Sequence, residues 1–182
     1  MVSLPNLISL ARLLSVPVVV WLILTGQMRA AFWVFIAAGV SDAADGFIAR
    51  HFDARTAVGH YMDPLADKAL LVSVYITLGS HGAIEDWLVI LVVFRDLLIV
   101  GGALFFLTLT DDKIKLEPIL ISKLNTFLQI ALVTVVLAGL GFGIDTQNVS
   151  VLLTYATAAT TVLSGAGYIM RWVRGTAAVE RV

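Results

Sequence analysis

Leu124–Ile144 and Thr146–Met170 run for 21 and 25 residues without one charged side chain. A helix rising 1.5 Å per residue needs about 20 mostly apolar residues to cross a hydrocarbon core some 30 Å thick. Both runs meet that length. A third charge-free run, Leu97–Thr110, reaches it when extended back through Trp87. Three further apolar stretches are interrupted: Leu4–Met28 by Arg12, Ala30–Arg50 by Asp42 and Asp45, and Gly59–Ser80 by Asp63, Asp67 and Lys68. Lipid offers the backbone no hydrogen-bond partner, so such segments must be helical. The pattern predicts six helices, near residues 4–26, 30–50, 59–80, 86–109, 118–142 and 147–172. The expected fold is an all-α integral membrane bundle of six transmembrane helices, one domain over residues 1–182. Composition agrees, with 59% apolar and 14% charged residues, against about 25% charged in an ordinary soluble domain.

Loop charges give the expected orientation. With the N-terminus inside, the inner loops and tail hold Arg50, Arg55, Lys113, Lys115, Arg171, Arg174 and Arg181. The outer loops hold Arg29 beside the acids Glu85, Asp86 and Asp145. The positive-inside rule then predicts N-in, C-in. The first run lacks a basic leader and an A-x-A-like cleavage site and is too long for a signal-peptide core. With no transit peptide ahead of it, a bacterial inner membrane is the expected location. A net charge of −1 argues against nucleic acid as a partner, and the absence of cysteine excludes disulfides, thiolate metal sites and cysteine nucleophiles.

Eight of the 25 charged residues fall between Asp42 and Lys68. On helices, Asp42 and Asp45 (i, i+3) share one face, as do Asp63 and Asp67 (i, i+4). The first pair sits near the inner end of a descending helix and the second near the start of the returning one, at similar depth. Four carboxylates converging in a low-dielectric space cannot all stay ionised uncompensated. One or two divalent cations compensate them cheaply, and an all-oxygen donor set points to Mg²⁺, Mn²⁺ or Ca²⁺. Intramembrane acids are costly and usually functional. The bland alternative is an ion-pair network with Arg50, Arg55 and Lys68.

These residues spell D-x-x-D-G-x-x-A-R-x8-G-x3-D-x3-D: Asp42, Asp45, Gly46, Ala49, Arg50, Gly59, Asp63 and Asp67. The string resembles the signature of the CDP-alcohol phosphatidyltransferases at every fixed position. The opening Pro5–Pro17 segment is also similar to that family's first helix. The resemblance implies transfer of a phosphatidyl group from CDP-diacylglycerol to an alcohol, with release of CMP and dependence on two Mg²⁺ or Mn²⁺ ions. It implies metal binding by Asp42, Asp45, Asp63 and Asp67, with Asp67 as catalytic base. It also implies a CDP pocket of Asp42, Asp45, Gly46, Ala49, Arg50 and Gly59, and a homodimer.

The acceptor is expected from the second half. Phe94–Ala103 (F-R-D-L-L-I-V-G-G-A) and Ile121–Gln129 (I-S-K-L-N-T-F-L-Q) resemble the CMP-forming cardiolipin synthase branch, whose acceptor is phosphatidylglycerol. Phosphatidylglycerophosphate synthases, which use glycerol 3-phosphate, are the alternative. They typically show Arg-Glu where this chain has Arg95-Asp96, a further arginine at the place of Ala103, and a lysine at the place of Asn125. A dianionic acceptor calls for more positive charge than a phosphodiester. Arg95, Lys123 and Asn125 are the acceptor-binding candidates, with Thr126 and Gln129 as further neutral donors.

Adjacent helical residues point about 100° apart, so Arg95 and Asp96 are expected to find partners on other helices. Arg12 is expected to snorkel to the head groups, and Lys68 to balance the charge of its acidic neighbours. Trp21, Trp33, Trp87 and Trp172 fall near helix ends, as interface anchors do. Gly139/Gly143 and Gly165/Gly167 read as packing contacts. The three histidines have no ligand spacing, and none is followed two residues on by lysine, which excludes a phospholipase-D-type route to cardiolipin. A divalent-cation transporter is the competing class. An arginine beside the acids repels a bare cation, however, and suits a cation–phosphate complex.

Overall fold

The computed structural model describes the backbone of residues 4–52, 57–109 and 120–179, and the side chains of residues 11–41, 68–102 and 120–171. It contains six helices and, among the described residues, no strand: α1 (Leu4–Leu24), α2 (Met28–Phe52), α3 (Ala57–Ser80), α4 (Asp86–Leu109), α5 (Leu120–Phe142) and α6 (Gln147–Val179). The apolar runs predict these bounds to within two residues everywhere except at the end of α6. There the helix continues seven residues past the expected 172, to Val179. The apolar run ends at Met170, but no proline follows to stop the helix.

The turns after α1, α3 and α5 place a glycine at positive φ: Gly26 (74°), Gly82 (68°) and Gly143 (67°). A helix leaves its last carbonyls unpaired, and a left-handed residue turns the chain back to cover them. After α1, Gly26 N donates to Ile23 O and Gln27 N to Leu22 O, at 2.9 and 2.8 Å. After α3, Gly82 N donates to Gly79 O and Ala83 N to Leu78 O in the same pattern. Gly143, expected to be a packing residue, instead caps α5, its N–H donating to Gly139 O at 2.9 Å.

The helices close into a ring in the order α1, α2, α5, α6, α4, α3 and back to α1, with α3 also touching α5 across it. Val19, Ile23, Val74, Tyr75, Leu78, Leu88, Val92, Leu132, Val133 and Leu137 fill its interior. The outside is apolar as well. Leu14, Trp21, Ile90, Leu97, Phe127 and Leu152 are each more than half exposed. Leu120–Phe142 and Gln147–Arg171 are long and apolar enough to span a bilayer, and only 33% and 17% of them, respectively, is buried within the bundle. A soluble core helix hides its apolar surface, whereas these two turn most of it outward.

The described tryptophans, Trp21, Trp33 and Trp87, are all exposed near the end that carries the three glycine turns. There Phe32 stacks edge-on against Trp33 and Phe142, at 5.2 and 5.3 Å between centroids. The Arg29 guanidinium lies 5.2 Å from the Phe142 centroid, and its Nε donates to Gly141 O. Gly141 lets α5 reach the first turn of α2: a Cβ there would stand 2.9 Å from both N and Cα of Arg29. Backbone cannot swing aside as a side-chain tip does. Gly141→Ala should therefore destabilise the bundle by about 1–3 kcal/mol, read as a lower melting temperature, while turnover per folded molecule stays unchanged.

Candidate functional site

The signature residues lie on regular helix. Asp42, Asp45, Gly46, Ala49 and Arg50 fall within α2, and Gly59, Asp63 and Asp67 within α3. The spacings i, i+3 and i, i+4 therefore put each acidic pair on a single helix face. The side chains of these eight residues lie outside the described part. Among the described residues, no three His, Asp or Glu side chains come together to hold a metal.

The described part of the site begins at Lys68, one residue past Asp67. Lys68 Nζ lies 2.5 Å from Asp96 Oδ1, and the same oxygen accepts from Arg95 Nη1 at 2.7 Å. Arg95 and Asp96 thus also pair with each other, which the expectation of partners on other helices did not include. The guanidinium is long and forked enough to reach round the 100° between neighbours. Each also finds a partner on another helix. Arg95 Nη2 donates to Ser122 Oγ on α5 and to Ser164 Oγ on α6, both at 2.6 Å. Arg95 and Asp96 are 2% and 3% exposed, so this is an interior cluster that joins α3, α4, α5 and α6.

Below it, Asn125 Oδ1 accepts from Thr160 Oγ1 and Thr161 Oγ1 at 2.9 and 2.8 Å. One turn further, the antiparallel register sets Gln129 opposite Thr157, since each step along α5 from Ser122 to Asn125 to Gln129 matches an equal step back along α6 from Ser164 to Thr161 to Thr157. Tyr75 OH reaches the backbone carbonyl of Gln129 at 3.3 Å. The three rungs span seven residues, about 10 Å along the axis. Polar groups deep in an apolar bundle are costly unless paired, and here the lowest rung is the least satisfied, although Arg95 Nε and Asp96 Oδ2 above it also lack partners. Among the described residues the Asn125 amide nitrogen, both Gln129 amide atoms and the Thr157 hydroxyl have no hydrogen-bond partner.

The three acceptor-binding candidates separate. Arg95 and Asn125 are interior, on successive rungs, whereas Lys123 is exposed on another face of α5. Thr126 lines a small cavity of about 80 Å³ with Arg12, Phe35, Ala38, Gly39, Leu70, Leu71 and Ile130. Arg12 itself is 3% exposed. It does not snorkel as expected; it is turned into the junction of α1, α2, α3 and α5. Sequence reasoning missed Ser122, Thr157, Thr160, Thr161 and Ser164. The signal available for them was hydroxyls and amides recurring every three to four residues along α5 and α6.

The sequence profile of the CDP-alcohol phosphatidyltransferases matches residues 2–163, from α1 into the first half of α6. The chain belongs to that family. Named phosphatidyltransferases of two kinds are similar to it. A chloroplastic CDP-diacylglycerol–glycerol-3-phosphate 3-phosphatidyltransferase of Oryza sativa is 37% identical over 187 residues, covering 93% of this chain and 57% of its own length. A CMP-forming cardiolipin synthase of Rattus norvegicus is 33% identical over 181 residues, covering 91% of this chain and 60% of its own length. A CDP-diacylglycerol–glycerol-3-phosphate 3-phosphatidyltransferase of Rickettsia typhi is 32% identical over 173 residues, 92% of this chain and 96% of its own length. The chain thus spans less than two thirds of the plant and rat phosphatidyltransferases and nearly all of the rickettsial one.

Proposed function

We propose that this phosphatidyltransferase moves the phosphatidyl group of CDP-diacylglycerol to a hydroxyl of a glycerol-bearing acceptor and releases CMP. The supporting observation is the eight-residue signature, complete and carried on the helical backbones of α2 and α3 inside the family match. The acceptor oxygen forms a bond to the lipid-bearing phosphorus, the pyrophosphate bond breaks, and the acceptor's proton passes to the Asp67 carboxylate. Arg50 balances the charge of the pyrophosphate, and Gly46, Ala49 and Gly59 leave room for the nucleotide. Four carboxylates with no sulfur donor fit two Mg²⁺ or Mn²⁺ ions, held by Asp42, Asp45, Asp63 and Asp67. Bound there, such ions would supply positive charge to neutralise the phosphates and stabilise the leaving oxygen.

Two acceptors share the required glycerol hydroxyl. Phosphatidylglycerol, giving cardiolipin, is favoured by the state of Arg95: its charge is balanced by Asp96 and its Nη2 serves Ser122 and Ser164, so the described interior offers little uncompensated positive charge to a dianionic phosphate. Glycerol 3-phosphate is favoured by the 37% identity to the plant phosphatidyltransferase and by the end-to-end match to the rickettsial one. The exposed apolar surface supports six membrane crossings. The loop charges support N-in, C-in, which sets the signature ends of α2 and α3 on the cytoplasmic side; the family resemblance is what supports a homodimer.

Product identity tests both readings. Purified enzyme is given radiolabelled CDP-diacylglycerol, Mg²⁺ or Mn²⁺, and either phosphatidylglycerol or glycerol 3-phosphate. Cardiolipin with CMP is the expected result, formed with phosphatidylglycerol alone. Phosphatidylglycerophosphate with CMP would keep the reaction and transfer the assignment to the other acceptor. No CMP with either acceptor would remove the transferase reading and return attention to cation transport.

A further inference from the structure

The geometry points to Asp96 as a positioning residue for phosphatidyl transfer, acting through Lys68 on the α3 segment that carries Asp67. This inference rests on the transfer reaction proposed above.

Asp96 touches none of the reacting groups. It is 3% exposed, and its Oδ1 takes hydrogen bonds from two cations at once, Lys68 Nζ at 2.5 Å and Arg95 Nη1 at 2.7 Å. The two cations belong to different parts of the ring. Lys68 lies on α3 immediately after Asp67, whereas Arg95 is fastened by Ser122 and Ser164 to α5 and α6. One carboxylate oxygen therefore joins the helix bearing the base to the half of the bundle that bears the acceptor candidates.

A link at that place governs the rotation of α3 about its own axis. Side chains stand about 5–6 Å from a helix axis, so a 10° rotation moves a carboxylate by about 1 Å. Misplacement by about 1 Å can cost a reaction about 10²-fold. Among the described residues of α3, Val74 and Leu78 pack through apolar contacts and Tyr75 through one 3.3 Å hydrogen bond, and these fix rotation less sharply than a short charge-assisted bond. Lys68 is the one residue in this link that is partly open, with 26% of its side chain exposed, so it can be altered without opening the core.

The test uses the full chain in lipid nanodiscs, with radiolabelled CDP-diacylglycerol and either glycerol acceptor. Asp96→Asn keeps the volume and loses the charge. It should lower kcat by about 10- to 100-fold while KM for CDP-diacylglycerol holds. Asp96→Glu, which restores the carboxylate, should recover most of that loss. Lys68→Met should lower kcat similarly, and the double variant should be no worse than the poorer single one, because both break the same link. A merely structural role would lower the melting temperature and leave kcat per folded molecule at the wild-type value. That outcome, or losses that multiply in the double variant, overturns the proposal. If Asp96→Asn does not fold, Lys68→Met alone decides, and an unchanged kcat rejects the link. Wild-type enzyme that releases no CMP would instead mark failure of the transfer reading, a separate result.

Discussion

Asp67→Asn should abolish phosphatidyl transfer, with a fall in CMP release of about 10²- to 10⁴-fold, the range that a positioned general base supplies. The amide is nearly the same size as the carboxylate but takes up no proton at neutral pH, so the acceptor hydroxyl keeps its hydrogen as its oxygen attacks. CDP-diacylglycerol binding should persist, because Asp42, Asp45, Arg50 and the glycines Gly46 and Gly59 are untouched. The check is a pair of measurements on one preparation: CMP release and equilibrium binding of labelled CDP-diacylglycerol. Turnover near the wild-type rate would remove Asp67 as the base. Loss of binding along with turnover would make it chiefly a metal ligand.

The largest stability effect is expected at Arg95. Arg95→Met keeps a long, flexible side chain but deletes three hydrogen bonds, to Asp96, Ser122 and Ser164. Two serine hydroxyls then lose their common partner inside an apolar bundle, and Asp96 is left to Lys68 alone. Removing one member of a buried ion pair costs about 3–5 kcal/mol, and the variant should melt at a lower temperature by a corresponding amount. Lysine should not rescue it, since one ammonium cannot hold α4, α5 and α6 together in the guanidinium's planar geometry. An Arg95→Met protein as stable as wild type would show that the serines contribute nothing to holding α5 and α6.

Helix existence and limits were legible because a bilayer-length apolar run is a strong signal, and Leu124–Ile144 and Thr146–Met170 lie almost entirely within α5 and α6. The ring order was not, since α2 packing against α5 depends on residues a hundred positions apart, such as Arg29 and Gly141. The helical setting of the signature was legible from its spacing, which acquires meaning on a single helix, and α2 and α3 do run through it. The interior cluster was half legible. Arg95 and Asp96 stood out as charges in an apolar run, but angular separation alone misjudged their pairing because it ignores side-chain length. Ser122 and Ser164 looked like ordinary small polar residues until a shared guanidinium connected them. Arg12 was misread for a related reason: its place near the end of a run suggested the interface, whereas its surroundings come from three other helices.

The ring order also has a temporal side. As the chain emerges, α1 meets α2 and α3, and α3 meets α4, so the first four helices form an open arc with α2 at one end and α4 at the other. Only the last hairpin joins those ends, α5 docking on α2 and α6 on α4. Until it arrives, Arg95 has Asp96 but neither serine, and a partly satisfied charge faces the gap that the hairpin must fill. The α5–α6 hairpin is thus the keystone of the ring, and a chain stalled after α4 would hold an arc with an open side.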